Sequence, residues 1–475
     1  MGKAPASTDL AVVGAGPGGY AAAFLAADLG MRVTLIDPAP DPGGVCLYRG
    51  CIPSKSLLHV ARLIGEARQA QHWGVKFAPP EIDLHRLRKW KEEVVQKLTR
   101  GLGQLSRRRN VHYVQGRARL LGGGSLEVET AGGGQQRFSF GHAILATGSS
   151  PMRLPGLPER SARILDSTSA LELGSIPERL LVVGGGYIGL ELGSVYAALG
   201  SRVTVVEMMP SLLPGVDSDL VRPLHRRVQE QFEDILLETR VARFQERTEG
   251  ICVNLEGSRV EKPERTFDQV LVSVGRRPNS AELGLEQTQA GVDRPGFVQV
   301  DNQLRTSEPG LHAIGDLVGQ PMLAHKASHE GRCAVGAIAG HKVAFEPAAI
   351  PAVVFTDPEV AWCGLTESEA KRQNRDIEVA RFPWAASGRA LTMDRSDGMT
   401  KILVDPRTER VLGVGIVGSG AGEMIAEGVL AVEMGAVAAD IKLSIHPHPT
   451  LSETIMESAE VFFGQSTHLY RPKKS

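Results

Sequence analysis

The feature that most constrains this chain is a unit it carries twice. The first copy is a short apolar strand, Asp9 to Val13, followed by Gly14-Ala15-Gly16-Pro17-Gly18-Gly19. An alanine-rich helix, Tyr20 to Leu29, then leads through Gly30 to a second strand, Met31 to Asp37, that ends in an acid. The second copy runs Leu180 to Val183, Gly184-Gly185-Gly186-Tyr187-Ile188-Gly189, a helix to Leu199, Gly200, and Ser201 to Glu207. Gly14, Gly16, Gly19, Gly30, Arg32, Val33 and Thr34 all recur 170 residues later, with Glu207 in the place of Asp37. Strand, glycine loop, helix, strand and acid together form the signature of a dinucleotide-binding βαβ unit. The glycines let backbone approach a pyrophosphate at a helix N-terminus, and the acid accepts ribose hydroxyls. The repeat predicts an α/β chain with two such domains, binding two nucleotides.

Between Asp37 and the next helix lies Gly43-Gly44-Val45-Cys46-Leu47-Tyr48-Arg49-Gly50-Cys51-Ile52-Pro53-Ser54-Lys55. Two cysteines five positions apart stand about 17 Å apart in an extended segment and about 8–9 Å apart in a regular helix. A disulfide needs about 5.5 Å. The pair closes only if the backbone tightens, which Gly50 permits and Gly43-Gly44 assist. Pro53 suits the first turn of a helix, and Ser54 to Ala61 reads as helical, placing Cys51 near a helix N-terminus where the dipole favours a thiolate. Zinc wants closer pairs and further ligands, and a structural bridge implies a secreted protein. Spacing alone leaves a redox pair and two unrelated buried thiols both open.

The 475 residues are too many for one core and imply about three domains. With 53 basic and 54 acidic side chains, the charge balance argues against nucleic-acid or membrane-surface partners. Arg107-Arg108-Arg109 and Pro472-Lys473-Lys474 read as solvated ends. Cys252, Cys333 and Cys363 are isolated, which fits a reducing compartment. The first strand starts too early for a leader peptide, and Ala6 spoils a myristoylation motif at Gly2. No run is long and apolar enough to span a bilayer. A soluble, cytoplasmic protein is expected, with no metal site.

Ile82 to Ser106 has the spacing of a long amphipathic helix, and glycine triplets at 122–124 and 132–134 bracket a strand of a small meander. Each nucleotide unit closes with a strand and a glycine, at Gly148 and Gly275. Leu311 to Asp316 is a further strand ending in an acid. From about Ile350 strands (351–355, 399–404, 411–417) alternate with helices (366–373, 423–434) and no nucleotide loop, an α+β pattern. The helix over 423–434 is apolar on several sides, which suits either a core or a subunit contact.

Two dinucleotide units, CxxxxC followed by Lys55, Gly315-Asp316 and a terminal His448-Pro449-Thr450-Leu451-Ser452-Glu453 together resemble the pyridine nucleotide–disulfide oxidoreductases, closest to the branch that acts on dihydrolipoyl groups. The similarity runs from end to end. It implies FAD on residues 1–152 and 280–349, NAD on residues 153–279, and a dimerisation domain over 350–475. The implied interchange thiol is Cys46 and the flavin-facing thiolate Cys51, with Lys55 beside the flavin and Glu191 as its ion-pair partner. Without the resemblance, Lys55 and Glu191 read as two exposed helix charges. Asp316 matches the acid for the FAD ribityl chain, Ala324 a backbone contact to the flavin, and Ala118 one to the adenine. Val241 and Gly275 fall on nicotinamide-nucleotide contacts. His448 matches the base and Glu453 its orienting carboxylate, although Thr450-x-x-Glu453 is also a good capping box and His446 competes for the role. Glu207 with no adjacent arginine favours NAD over NADP.

The resemblance therefore implies oxidation of a protein-bound dihydrolipoyl group by NAD in a homodimer, docked to the lipoyl domain and acyltransferase core of a 2-oxoacid dehydrogenase complex. Another disulfide reductase, of glutathione or mercury type, is the alternative. The absence of a C-terminal cysteine pair opposes mercury, and Glu207 with Ile52-Pro53-Ser54-Lys55 opposes glutathione. A soluble transhydrogenase would not need both cysteines, and a complete set of catalytic residues opposes a mere assembly component. Tyr48-Arg49 and Asp37 depart from the commonest pattern, where Asn, a small apolar residue and Glu are frequent.

Overall fold

The structure is a computed structural model that describes residues 6–158, 161–258 and 260–470. Gly2 and the Pro472–Lys474 tail lie outside the described residues.

Leu10, Ala11, Val12 and Val13 are all buried, as a strand covered on both faces requires. Their strand, Ala6–Val13, is the centre of a parallel array in the order 112–122, 33–37, 6–13, 135–145, 311–313. Ser125–Thr130 joins the far ends of two of these strands antiparallel, which is the expected meander, and Gly122, Gly123 and Gly124 all have positive φ in the turn before it. Helix α1 (Pro17–Asp28) follows the first glycine loop; α2 (Gly44–Arg49), α3 (Cys51–Gln69) and α4 (Leu84–Arg108) come next. The long helix starts two residues later than its apolar spacing suggests, because Asp83 caps it by accepting from the Arg86 N–H at 3.0 Å.

The second parallel sheet has the order 234–236, 202–206, 179–183, 269–272, 164–165, with α5 (Tyr187–Leu199) and α6 (Ser218–Gln231). The sequence repeat survives in register. Leu10 pairs with Val33 and Leu180 with Val203, while Val13 pairs with Ile36 and Val183 with Val206. Two antiparallel strands, Ser149–Pro151 and Arg276–Pro278, carry the chain into and out of this region. After them, α7 (Ala324–Ile338) packs on α1 through glycines: a Cβ on Gly331 would meet Gly18 O at 2.6 Å.

The C-terminal region is a five-stranded antiparallel sheet in the order 352–354, 359–364, 411–418, 399–404, 378–383. Its helices are α8 (Glu367–Arg372), α9 (Gly388–Thr392), α10 (Ala421–Glu433), α11 (Ala438–Leu443) and α12 (Glu453–Phe462). Helix α10 serves both readings of its sequence. Ile425 and Ala431 are buried in the core, while Leu430 and Met434 point outward and continue to exposed Leu443 and fully exposed Ile445.

One buried cation ties this region to the second nucleotide unit. Lys401 Nζ, 1% exposed, lies 2.8 Å from Asp217, 2.7 Å from Asp219 and 2.7 Å from Glu367. Burial opposes ionisation of Asp217 and Asp219, but the Lys401 hydrogen bond and charge outweigh it and hold both below the usual carboxylate range. Groups lowered in this way stabilise the fold above their unfolded pKa of about 3.9 and lose that contribution as pH falls. Lys401→Met leaves Asp219 and Glu367 with Arg381 and takes from Asp217 its one ion pair among the described residues, and should cost about 3–5 kcal/mol near pH 7. The deficit, read by denaturant melts, should narrow as the pH is taken down to about 4.

Candidate active site

The two glycine loops are built alike. The Gly14 and Gly184 N–H groups each donate at 2.8 Å to the carbonyl before the terminal acid, Ile36 and Val206. A Cβ on Gly14 would meet Ala146 O at 2.3 Å, and one on Gly19 would meet Gly14 O at 1.8 Å; Gly184 and Gly189 are as tightly enclosed by Ser273 and by Gly184 itself. Gly186 has nothing within 4 Å, and Gly16 has only Gly44 Cα at 3.9 Å. The first and third glycines are thus required by the protein's own packing. The second leaves a cradle that a side chain would fill, which fits a bound pyrophosphate. Asp37 accepts from the N–H groups of Ala15 (2.7 Å) and Ala39 (2.9 Å), and Glu207 from those of Gly185 (2.7 Å) and Met209 (2.8 Å). Each oxygen is thereby oriented and keeps capacity to accept a ribose hydroxyl.

Both cysteines stand against the first cradle. The Gly43 N–H donates to Ala15 O at 2.8 Å, and Gly44, at φ +59°, lies so close that a Cβ there would be 2.4 Å from Gly16 Cα. Cys46 sits in α2, and α2 ends at Gly50, where a Cβ would crowd Val45 O at 3.0 Å and Cys46 Cα at 3.4 Å. Cys51 is the first residue of α3, three residues earlier than the sequence suggests. The required tightening is therefore a helix broken and restarted at a glycine. Cys46 and Cys51 are both half-buried. The hydrogen bond between them holds Cys46 protonated and lowers Cys51 to about 7 against the effect of burial, with Lys55 assisting.

Lys55 and Glu191 are not two exposed charges. Lys55 Nζ lies 2.8 Å from a Glu191 carboxylate that is 4% exposed, and 4.5 Å from the centre of the Phe355 ring. Glu191 also accepts from the Phe355 N–H at 3.0 Å. Asp316, in the turn after strand 311–313, accepts from Ser149 Oγ, which itself accepts from Arg276 Nε at 2.7 Å. Ala324 is the first residue of α7 and Gly148 has an unobstructed φ of +69°. Ala118 is half-buried in strand 112–122, Val241 lies at the bulge of the strand over 239–247, and Gly275 receives the Met152 N–H at 3.0 Å.

His448 and Glu453 form a separate cluster. His448 Nδ1 is 2.8 Å from Glu453 Oε1, and the Thr450 N–H donates to Glu453 Oε2 at 2.8 Å. Only half of a capping box is present, since Thr450 Oγ1 donates to Pro447 O instead of receiving the helix N–H. Burial opposes ionisation of Glu453, but the Thr450 N–H and His448 together hold its pKa down. His446 is turned inward, 8% exposed and 2.8 Å from Glu427, whereas the His448 side chain is 75% exposed. Among the described residues no hydrogen bond joins His448 to either cysteine.

Known proteins bear this pattern. The profile of the pyridine nucleotide-disulphide oxidoreductases matches residues 8–331, and that of their dimerisation domain matches residues 350–459. The chain belongs to the pyridine nucleotide-disulphide oxidoreductase family. A dihydrolipoyl dehydrogenase of Vibrio cholerae is 47% identical over 97% of both chains, and one of Geobacillus stearothermophilus 44% identical over 99% of both. Among solved structures, LpdA from Mycobacterium tuberculosis superposes with a TM-score of 0.88 at 27% identity, covering 95% of this chain and 99% of that one. The HOCl-induced flavoprotein disulfide reductase RclA of Escherichia coli superposes at 0.85, also at 27% identity, covering 96% and 99%.

This family member holds further polar groups that sequence reasoning missed. Lys326 and Glu330 form a buried pair at 2.7 Å in α7, and Glu330 accepts from the Gly315 N–H at 2.6 Å, fixing the turn that carries Asp316. Their i, i+4 spacing in a helix of small residues was the available signal. Ser149, Arg276 and Phe355 had none, because each meets its partners only across separate elements.

The Cys46 thiol is the chief support of the Cys51 thiolate, and a hydrogen bond to a charged group is worth about 1.5–3 kcal/mol. Alkylation of Cys51 by iodoacetamide in the reduced protein, followed by mass spectrometry, should titrate near pH 7. Cys46→Ala should raise that midpoint by about 1–2 pH units.

Proposed function

We propose that the chain oxidises a protein-bound dihydrolipoyl group with NAD, in the cytoplasm, as part of a 2-oxoacid dehydrogenase complex. The full-length likeness to relatives named dihydrolipoyl dehydrogenase carries this reading. The cofactors are FAD and NAD. Gly14, Gly16, Gly19, Asp37, Gly148, Asp316, Ala118 and Ala324 would hold FAD, and Gly184, Gly186, Gly189, Glu207, Val241 and Gly275 would hold NAD. When bound, FAD supplies a two-electron carrier between the dithiol and NAD.

In the oxidised form Cys46 and Cys51 share a disulfide. His448, oriented by Glu453, takes the proton of one substrate thiol. The resulting thiolate attacks Cys46 Sγ; the Cys46–Cys51 bond breaks and Cys51 leaves as a thiolate. Lys55, anchored by Glu191, faces the charge of Cys51 as it leaves. The second substrate thiol then gives its proton to Cys46 as its sulfur attacks the substrate sulfur of the mixed disulfide, so that Cys46 leaves as a thiol while the first proton stays on His448. Two electrons have passed from substrate to the cysteine pair.

His448 stands open to solvent on its own chain, and the dimerisation domain supports a homodimer. In the proposed assembly the base serves the partner subunit's cysteine pair, with the exposed Leu430, Met434, Leu443 and Ile445 covered at the contact. The likeness to RclA keeps a second reading in view, a reductase of another disulfide.

Anaerobic addition of dihydrolipoamide to the purified holoenzyme should produce a long-wavelength absorption band, and NADH should form when NAD follows. Bleaching by NADH with no response to dihydrolipoamide would retain the family and overturn the lipoyl substrate. His448→Gln should lower kcat/KM for dihydrolipoamide about 10²–10⁴-fold while leaving reduction of the flavin by NADH intact.

A further inference from the structure

Of the six residues 444–449 that leave α11, five are exposed, Ile445 fully, and His446 alone turns inward. Its ring is engaged at both nitrogens. Nε2 lies 2.8 Å from Glu427 Oε1, and Nδ1 lies 2.9 Å from the Ser444 carbonyl oxygen. No ring nitrogen is left for a substrate proton, so the function described above does not use this histidine. Glu427 stands on α10, which is seated tightly on strand 411–418: a Cβ on Gly428 would meet Val414 Cβ at 2.8 Å. From that anchor to His448 the chain has little freedom. Pro447 and Pro449 have φ fixed near about −65° by their rings, and each restricts the residue before it, His446 and His448. Beyond His448, Thr450 Oγ1 donates to Pro447 O at 2.7 Å, and the Thr450 N–H donates to Glu453. His448 is thus held from two helices, its ring by Glu453 of α12 and its backbone, through Pro447, by Glu427 of α10.

We propose that His446 is a second positioning residue for the reaction: clamped to Glu427, it fixes the main chain that carries His448, while Glu453 fixes the ring. The inference rests on His448 being the base, as proposed above. A base carried on an exposed loop and serving another subunit's cysteines depends on where that loop stands. A displacement of about 1 Å at reacting groups is enough to cost about 10²-fold in rate. Glu453 sets the ring relative to α12, and the His446–Glu427 contact denies the loop the motion away from α10 that would remain.

The test compares the holoenzymes of His446→Ala, Glu427→Ala, Glu427→Gln and His446→Ala/Glu427→Ala. Two rates are read: kcat/KM for dihydrolipoamide, and reduction of the flavin by NADH, which makes no use of the base. Each alanine variant should lower kcat/KM by about 10-fold or more, through kcat with KM held, and leave reduction by NADH unmoved. The double variant should fall no further than the single ones, since either change opens the same clamp. Glu427→Gln keeps an acceptor oxygen and should recover most of what Glu427→Ala loses. Flavin content, melting temperature and sedimentation establish that each variant is folded and dimeric. An unmoved kcat/KM in folded, dimeric His446→Ala overturns the proposal. So does an equal fall in reduction by NADH, which would reflect general loosening, or losses that multiply in the double variant. Activity that returns when higher protein concentration re-forms a dissociated dimer overturns it too, because assembly and not orientation was then lost. A His448→Gln enzyme with full kcat/KM overturns the assignment of the base, and this inference with it.

Discussion

The contact between Gly44 and Gly16 is the constraint on which the site depends. A Cβ on Gly44 would stand 2.4 Å from Gly16 Cα, so α2 can lie on the first glycine loop only because two backbones meet with no side chain between them. The Gly43 N–H to Ala15 carbonyl bond fixes that approach. The same loop that leaves room for a pyrophosphate is thereby the floor for the redox cysteines. Nucleotide binding and thiol chemistry are brought together by backbone proximity, before any charged side chain takes part.

The two nucleotide units show how one scaffold is put to two uses. Their loops, strand registers and acid-to-amide bonds coincide, down to the 2.7 Å bond from the second residue of each loop to the terminal acid. What differs is the segment after the second strand. In the first unit it is the cysteine helix; in the second it leads to α6, whose Asp217 and Asp219 surround Lys401 of the C-terminal sheet. The first unit gained chemistry at that point and the second an anchor.

Buried charges join the parts. Lys55–Glu191 links the cysteine helix to the second glycine helix, and Glu191 also holds the backbone of Phe355 from the C-terminal region. Lys326–Glu330 steadies the Asp316 turn, and Lys401 gathers three carboxylates from two regions. Breaking a pair of this kind costs about 3–5 kcal/mol, because the remaining charge is left without solvent or partner. Such pairs make the relative placement of the elements specific in a way that apolar packing alone does not.

Much of this was legible in the chain itself. The glycine repeat predicted both parallel sheets, because tight backbone contacts at the first and third glycines exclude every side chain. The alternation of apolar and turn residues gave most strands and the long α4, with an error of two residues where Asp83 caps its start. Cys46 and Cys51 were identifiable as a pair, but their spacing left redox and buried thiols equally open. The break at Gly50, which ends one helix and starts the next between the two residues, is a backbone feature that their spacing did not report. Lys55 and Glu191, 136 positions apart, looked like surface charges, since no local pattern reports a contact made across domains. The same holds for the pairing of His446 with Glu427, 19 positions away, which turns that ring inward and leaves His448 exposed. Sequence determined what depends on neighbours along the chain: helix, strand, glycine turn and acid. Tertiary structure decided which charges are buried and paired, because ionisation and partnership depend on distance and solvent, and neither is a property of the local chain.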